Sequence, residues 1–256
     1  MITTAEDSWT IRVVIPALDE EASIGKVIDA LWQHQISSIH VADNGSRDNT
    51  ASVAREHGAR VVLAPQRGYG SACLAALADI TELEPSSDGE IIVFIDADFS
   101  DDPRQLPELV APIIDQQADL VIGSRVLGHS EPGALSPHQR AGNRLATLCI
   151  RWLFGFRYTD LGPFRAIRRD RFDQLQMRDG DFGWTVEMQL KAARQRFTIL
   201  EIPVDYRPRI GQSKISGTIS GSIRAGAKIL QVIFREALLG SRPVVTDESP
   251  CPVGKR

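Results

Sequence analysis

The sequence predicts an α/β fold, in which a mostly parallel central sheet carries helices on both faces and an amphipathic helix closes the carboxyl-terminal end. Two observations support this. Short apolar runs alternate with amphipathic stretches over about the first 120 residues, and polar or acidic residues directly follow three of those runs. Alternating strands and helices require crossover connections, which make successive strands parallel. With 256 residues, 43% of them hydrophobic, the chain can bury one sizeable core.

Each element of the amino-terminal half follows from the spacing of its apolar residues. Continuous apolar runs predict buried strands, and apolar residues three or four positions apart predict helices. The predicted strands are residues 11–15, 39–41, 61–63, 91–95 and 120–122, and the predicted helices are residues 22–32, 49–57, 70–80 and 103–114. The last of these helices opens with Pro103, a residue that suits the first helical position. This Rossmann-like order is typical of nucleotide-binding proteins, whose ligands bind at the carboxyl ends of the strands.

The pattern changes after Gly123. We predict a helix over residues 137–154, a turn and a short strand within 160–170, a helix over 184–195, a strand pair within 197–209, and a helix over 215–239. The first of these helices has an apolar face made of Leu145, Leu148, Cys149, Trp152 and Leu153. We expect one domain over residues 1–240 and a disordered tail over residues 241–256.

The composition argues against several classes of protein. A formal net charge of −4 does not favour nucleic-acid binding, which normally needs a basic excess. The three cysteines, Cys73, Cys149 and Cys251, have neither disulfide-framework nor zinc-site spacing, so a cytoplasmic location is expected. The amino terminus lacks the pattern of a signal peptide, and no run of about 18 apolar residues could cross a bilayer.

Several carboxylates follow the predicted strand 91–95, in the segment "FIDADFSDDP". Asp96 and Asp98 are separated by one residue, so both can turn toward one point, and Mg²⁺ or Mn²⁺ prefers such oxygen ligands together with phosphate oxygens. We therefore predict a divalent cation held by Asp96 and Asp98. In the alternative interpretation, Asp101 or Asp102 caps the following helix and the other two aspartates are solvated.

Six segments occur in a fixed order along the chain: "VVIPALDEEASIGKVIDAL", "VADNGSRDNTASVA", "RGYGSACLAALA", "FIDADFSDDP", "VIGSR" and "RPRIGQSKISG". This series resembles the family 2 glycosyltransferases of the A-type fold. The most similar branch is that of the polyprenyl-phosphate, or dolichyl-phosphate, mannosyl- and glucosyltransferases. The resemblance covers about residues 10–235 and implies that residues 10–122 bind a nucleotide sugar and residues 123–240 bind the acceptor.

The resemblance also implies roles for individual residues. The donor contacts would be Pro16, Glu20, Asp43, Gly68 and Gly70, and the metal ligands Asp96 and Asp98. Two positions depart from the family pattern: Asn44 replaces an acidic residue, and Ser100 stands where many relatives have glutamine. The two glycines have a second interpretation, since a simple tight turn before a helix would also require them.

Basic residues in the matching segments are expected to face phosphate groups. The basic residues are Arg125, Arg209 and Lys214, and Ser213 lies beside Lys214 in the same segment. In the alternative interpretation, Arg125 is a solvated surface residue. Asp160 and Arg165 match the segment beside the acceptor, and Glu187 matches an acidic position in a helix near the sugar.

The implied reaction is the inverting transfer of a hexose from GDP-mannose or UDP-glucose to a polyprenyl phosphate. If the acceptor were a hydroxyl, a carboxylate would have to accept its proton, and the candidates are Glu187, Asp160 and Asp98. Three alternatives stay open: a same-fold transferase with a soluble small-molecule or polysaccharide acceptor, a nucleotidyltransferase, and a nucleotide-sugar-binding regulator without activity.

A polyprenyl acceptor would have to be taken from a membrane surface. Arginines and lysines accompany the apolar faces of the predicted helices 137–154 and 215–239, as in helices that lie in the bilayer interface. Peripheral contact with the inner face of the cell membrane is thus one expectation. The other is that these faces pack on the protein or on a second subunit, and the sequence does not indicate the oligomeric state.

Overall fold

The computed structural model describes residues 9–83, 89–211 and 219–239. The strands are β1 (Thr10–Ala17), β2 (Ser38–Asp43), β3 (Arg60–Leu63), β4 (Glu90–Phe94), β5 (Leu120–Ser124), β6 (Arg165–Arg168) and β7 (Ile199–Pro203). The helices are α1 (Ile24–Leu31), α2 (Thr50–Glu56), α3 (Tyr69–Leu83), α4 (Leu106–Ile114), α5 (Pro137–Phe154), α6 (Arg169–Leu175), α7 (Trp184–Arg194) and α8 (Ile219–Leu239), and a short 3-10 helix spans Pro103–Gln105.

The strands form one seven-stranded sheet in the order β3-β2-β1-β4-β6-β5-β7. All neighbouring pairs are parallel except those that β6 makes with β4 and β5. The predicted mostly parallel sheet is therefore confirmed. Because β6 runs in the opposite direction, its first residue, Arg165, lies beside Phe94 and Ile122 near the carboxyl ends of β4 and β5.

Helices cover both faces of the sheet, as predicted. Successive residues of a strand point to opposite faces, so Val13 and Ile15 pack with α1, α2 and α4 while Val14 packs with α3, α6 and α7. A third apolar cluster joins α5, α7 and α8 through residues such as Ile150, Leu190 and Ile233. The carboxyl-terminal helices thus pack on the sheet layer through α7.

Helix α5 has the predicted bounds and well-defined ends. Ser136 and Gln139 form a capping box, Pro137 occupies the first turn, and Gly155 ends the helix in the left-handed region at φ 79°. The helix buries Ala146, Ile150 and Phe154. The face made of the predicted apolar residues instead stays largely in solvent, with Leu145 50%, Leu148 47%, Trp152 82% and Leu153 43% exposed.

Two differences from the predicted elements concern the carboxyl-terminal half. The predicted strand pair within 197–209 is wrong: β7 is one strand, and Tyr206 makes only isolated bridges to Asp101 and Ser130. Prolines 203 and 208 lack the amide hydrogen that a second paired strand would need. Helix α6 was not predicted, and it directly follows β6.

Two predictions fall outside the part of the chain that the structure describes: the start of the last helix, residues 215–218, and the disordered tail, residues 241–256. Among the described helices, none combines the length and the hydropathy needed to cross a bilayer.

Candidate active site

The polar segments that follow β1, β2, β4 and β5 lie at the same edge of the sheet, because parallel strands end together. Arg209, from the segment after β7, joins two of these segments. Its Nη2 lies 2.5 Å from Glu20 Oε1 and its Nη1 lies 3.4 Å from Asp98 Oδ2. Residues 189 positions apart are therefore in direct contact at this edge.

Asp98 is buried and held in one orientation. Its Oδ1 accepts hydrogen bonds from the amide of Ser100 at 2.9 Å and from the hydroxyl of Ser100 at 2.5 Å. Oδ2 faces Arg209. The serine that departs from the family pattern thus orients the carboxylate of Asp98.

Asp96 has an oxygen that suits a cation. Its Oδ1 is buried and makes no hydrogen bond of ordinary geometry, although the Tyr69 hydroxyl lies close enough to lower the pKa of Asp96. Burial, and next the charge of Asp98, raise the pKa of Asp96 to about 7. An added divalent cation would offset both effects, so the two aspartates fit the predicted metal site. No group of three or more Asp, Glu, His or Cys side chains converges within the described residues, so the remaining ligands would have to be oxygens of other origin.

The two later aspartates of the same segment have different roles. Asp102 caps the short 3-10 helix by accepting a hydrogen bond from the amide of Arg104 at 3.1 Å, which fits the capping interpretation. Asp101 is 1% exposed, and neither of its carboxylate oxygens has a hydrogen-bond partner. Burial, and next the charge of Asp96, raise the pKa of Asp101 well above its ordinary value. Asp101 is therefore a buried carboxyl group without a hydrogen-bond partner, a feature that no local sequence pattern indicates.

Hydrogen bonds hold two of the expected donor contacts, Glu20 after β1 and Asp43 at the end of β2. The amide of Glu20 donates to Thr50 Oγ1 at 2.7 Å, and Asp43 Oδ1 accepts from the amide of Ser46 at 3.0 Å. Pro16 lies in β1 opposite Ala42 of β2. The structure thus brings the expected donor contacts Pro16, Glu20 and Asp43 to the same sheet edge as the two metal-site aspartates.

The hydrogen bonds of Asn44 explain why this position departs from the family pattern. Its amide nitrogen donates to the carbonyls of Ala64 and Gln66 at 3.1 and 2.7 Å, and its amide oxygen accepts from the amide of Gly68 at 2.8 Å. A carboxylate could not make the two donor contacts. Asn44 therefore holds the loop that precedes α3.

Gly68 and Gly70 allow two loops to pack closely. A Cβ atom at Gly68 would lie 2.1 Å from the carbonyl oxygen of Gly180, and one at Gly70 would lie 1.9 Å from that of Asp179. Both separations are far below contact distance, so a side chain at either position would displace backbone. The backbone that these glycines approach in the structure belongs to the loop of residues 178–183.

We expect Gly70→Ala to destabilise the protein by about 1–3 kcal/mol, the usual cost of overpacking. Since Gly68 and Gly70 are expected donor contacts, the affinity for a nucleoside diphosphate should fall as well. Gly142→Ala is the matched control: nothing lies within 4 Å of a Cβ at Gly142, in the interior of α5. Thermal melts and nucleotide titrations of both variants check the prediction, and equal stability of the two variants would contradict it.

Glu187, a predicted catalytic candidate, has both oxygens engaged. Oε2 accepts from the amides of Arg178 and Asp179 at 3.1 and 2.7 Å, and Oε1 lies 2.9 Å from Lys191 Nζ and 3.5 Å from Arg235 Nη2. The side chain is fully buried. These contacts assign Glu187 to positioning the loop 178–183, and they do not favour a direct role as a base.

Asp160, a second catalytic candidate, forms a buried ion pair with Arg125. Its Oδ2 accepts from the backbone amide and Nε of Arg125 at 2.9 and 2.7 Å, and its Oδ1 accepts from Nη2 at 2.7 Å. Burial alone would raise the pKa of Asp160, but the charge and hydrogen bonds of Arg125 outweigh it and lower the pKa below its ordinary value. A carboxylate held in this way is a weak proton acceptor, so the geometry favours a structural role.

Arg165 lies beneath the site and not at its surface. It is fully buried, and its guanidinium donates to the carbonyls of Thr185 and Gly162. Burial lowers its pKa to about 10, which leaves it charged at pH 7. A direct contact with an acceptor, which the resemblance implies, does not fit this position. Ser213 and Lys214, two other expected phosphate contacts, lie outside the described residues.

A cleft of about 870 Å³ adjoins the pair of Arg125 and Asp160 and is lined by α5 and α8. Its basic side chains are Arg125, His129, His138, Arg140 and Arg144, and its apolar ones include Val126, Leu135, Leu145, Leu161, Ile229 and Leu230. Among its described lining residues, Asp160 is the single acidic side chain. The lining of the cleft therefore combines basic and apolar side chains.

The chain is similar to several known proteins. Residues 12–176 match glycosyl transferase family 2. An uncharacterized glycosyltransferase of Mycobacterium bovis is 36% identical over 230 residues, which are 87% of this chain and 97% of that protein. A dolichyl-phosphate hexose transferase of Haloferax volcanii is 29% identical over 232 residues, 89% of this chain and 96% of that protein.

Solved structures show a shared fold. Glucosyl-3-phosphoglycerate synthase from Mycobacterium tuberculosis, in complex with Mn²⁺, UDP-glucose and phosphoglyceric acid, superimposes with a TM-score of 0.72 at 22% identity. The similarity covers 93% of this chain and 82% of that one.

Proposed function

This chain belongs to glycosyl transferase family 2, and we propose that it transfers a hexose from a nucleoside diphosphate sugar to a polyprenyl phosphate at a membrane surface. UDP-glucose and GDP-mannose are the proposed donors. Transfer occurs with inversion, by in-line attack of an acceptor oxygen on the anomeric carbon. The observation that carries the proposal is the cleft beside Arg125, whose lining combines basic and apolar side chains.

On the donor side, Asp96 and Asp98 would hold Mg²⁺ or Mn²⁺, and the Oδ1 of Asp96, which makes no hydrogen bond of ordinary geometry, supports that assignment. A bound cation offsets the charge that develops on the leaving diphosphate. Glu20, Asp43 and Pro16 would contact the nucleotide, and Ser100 keeps Asp98 oriented.

The carboxylates of the site favour an acceptor that is already anionic. Glu187 and Asp160, the first two candidates for a general base, use their oxygens in contacts with neighbouring residues. A phosphate monoester carries negative charge at pH 7 and needs no strong base, because its second pKa is about 6. Arg140 and Arg144 supply the positive charge that would attract such a group into the cleft, since the charge of Arg125 is offset by Asp160.

The exposed face of α5 supports contact with a bilayer. Trp152 is 82% exposed and Leu148 is 47% exposed, and Phe234 and Leu238 of α8 are 52% and 88% exposed. Arg140, Arg144 and Arg151 lie on the same helix α5, as in peripheral helices that bind anionic lipid. We propose that this face docks on a membrane whose lipid phosphate then enters the cleft.

A soluble phosphorylated acceptor is the second candidate function. The basic side chains that line the cleft suit any phosphate group, and a protein of the same fold is described in complex with phosphoglyceric acid. This alternative differs from the first only in what occupies the apolar part of the cleft.

The test compares acceptors directly. The purified protein receives radiolabelled UDP-glucose or GDP-mannose with Mn²⁺, and either polyprenyl phosphate in anionic vesicles or 3-phosphoglycerate. We expect labelled lipid, and weaker vesicle sedimentation with Trp152→Glu at an unchanged melting temperature. Transfer only to the soluble acceptor would overturn the polyprenyl assignment. Donor binding without release of any nucleoside diphosphate would favour a regulator, and pyrophosphate-dependent chemistry would favour a nucleotidyltransferase.

A further inference from the structure

Arg209 occupies a position between two carboxylates of the donor side. Its guanidinium contacts Glu20 Oε1 and Asp98 Oδ2 at 2.5 and 3.4 Å, while the side chains of Glu20 and Asp98 are only 8% and 9% exposed. Both hydrogen bonds from Ser100 go to Oδ1 of Asp98, so Ser100 does not bind Oδ2, the oxygen that faces Arg209. Arg209 therefore neutralises the side of Asp98 that is not already committed to Ser100.

The backbone around Arg209 is attached to the metal-site segment. We call residues 204–211 the strap. The amide of Arg207 donates to the carbonyl of Ser100 at 2.9 Å, and the amide of Ile210 donates to the carbonyl of Asp98 at 2.9 Å. Arg207 also pairs with Asp102 at 2.6 Å. These backbone hydrogen bonds lie before and after Arg209 in the chain, so they hold its backbone beside Asp98. The guanidinium can therefore move away only by rotation of the side chain.

A divalent cation on Asp98 and the guanidinium of Arg209 would be like charges competing for one carboxylate. An opposite charge within about 4–6 Å changes a carboxylate's proton affinity by about 1–3 pKa units, so an effect of similar kind on a cation is expected. Glu20 offers Arg209 a second partner, which favours the paired arrangement when no phosphate is near.

We propose that Arg209 is an internal counter-ion that competes with the divalent cation for Asp98 and moves to the donor diphosphate when the nucleotide sugar binds. This inference rests on the proposed metal site at Asp96 and Asp98. Its consequence is coupling: the cation binds weakly by itself and tightly together with the donor. By linkage, the donor in turn binds weakly without the cation.

Arg209→Met tests the proposal because it removes the charge and keeps most of the side-chain length. We expect the affinity for Mn²⁺ alone to rise by on the order of tenfold. In saturating Mn²⁺, the affinity for UDP or GDP should fall, so the two effects have opposite signs. The first is measured from the electron paramagnetic resonance signal of free Mn²⁺, the second by calorimetry, and neither depends on turnover.

Two control variants distinguish the effect of losing the charge of Arg209 from the effect of disturbing the strap. Arg207→Met removes a neighbouring charge that pairs with Asp102, so Mn²⁺ affinity should stay at the wild-type value. Arg209→Lys keeps the charge and should also stay close to wild type. A melting temperature for each variant identifies any that fails to fold, and Mn²⁺ affinities are compared among the variants that melt as wild type does.

The possible outcomes test three points separately: the metal site, the competition for Asp98 and the movement of Arg209 to the diphosphate. Unchanged or weaker Mn²⁺ binding by Arg209→Met, with binding still lost in Asp98→Ala, would overturn the competition and leave the metal site standing. Tighter Mn²⁺ binding with an unchanged affinity for UDP and GDP would overturn the movement to the diphosphate. Absence of Mn²⁺ binding in every variant, including Arg209→Met, would overturn the metal site and the competition together.

Discussion

Asp98→Asn is expected to lower kcat by about 10³-fold, because a catalytic metal contributes several kcal/mol to the stabilisation of charge in the transition state. The substitution removes one negative charge and keeps the shape of the side chain. An amide oxygen can still accept the two hydrogen bonds from Ser100, so the segment should keep its conformation. The loss would therefore report on the charge of Asp98 and not on folding.

The measurement is steady-state release of nucleoside diphosphate at saturating donor and Mn²⁺, together with a thermal melt. Asp205→Asn is the control, because it removes an exposed aspartate from the same strap and should leave kcat unchanged. If Asp98→Asn kept activity within about tenfold of wild type, Asp98 would not be a metal ligand in the reaction.

Asp160→Ala should act mainly on stability. The carboxylate accepts three hydrogen bonds from Arg125, and its loss would leave that guanidinium buried without its carboxylate. Breaking a buried ion pair by removing one partner costs about 3–5 kcal/mol. For a chain of this size that corresponds to a fall of roughly 6–20 °C in the melting temperature.

The effect of Asp160 depends on pH in a defined direction. Because the pKa of Asp160 is lowered in the folded protein, its stabilising contribution is complete above the ordinary pKa of about 4 and is lost as the pH falls through the folded value. The difference between wild type and Asp160→Ala should therefore shrink below about pH 4. Calorimetric melts at pH 7 and at pH 3–4 measure this. A variant with unchanged stability and no activity would instead return Asp160 to the role of a base.

The local spacing of apolar residues was sufficient to predict most of the strands and helices. The apolar runs of β1 and β4 and the helical spacing of α1, α4 and α5 depend on residues a few positions apart, so one sequence contains the whole signal. The site edge followed from the same signal, because parallel strands end together. Asp96, Asp98 and Glu20 could therefore be assigned to one edge before any contact was known.

Contacts between distant segments were decided only in three dimensions. The sequence alone determined that this protein alternates strands and helices, and that acidic residues end three strands at one edge of a sheet. It did not indicate that the buried carboxylates of Glu187 and Asp160 are paired with cations, or that the apolar face of α5 lies in solvent. The pairing of Arg209 with Glu20 joins residues 189 positions apart. Side-chain periodicity records which face of an element is apolar, whereas the partner that meets that face depends on how all the elements pack together.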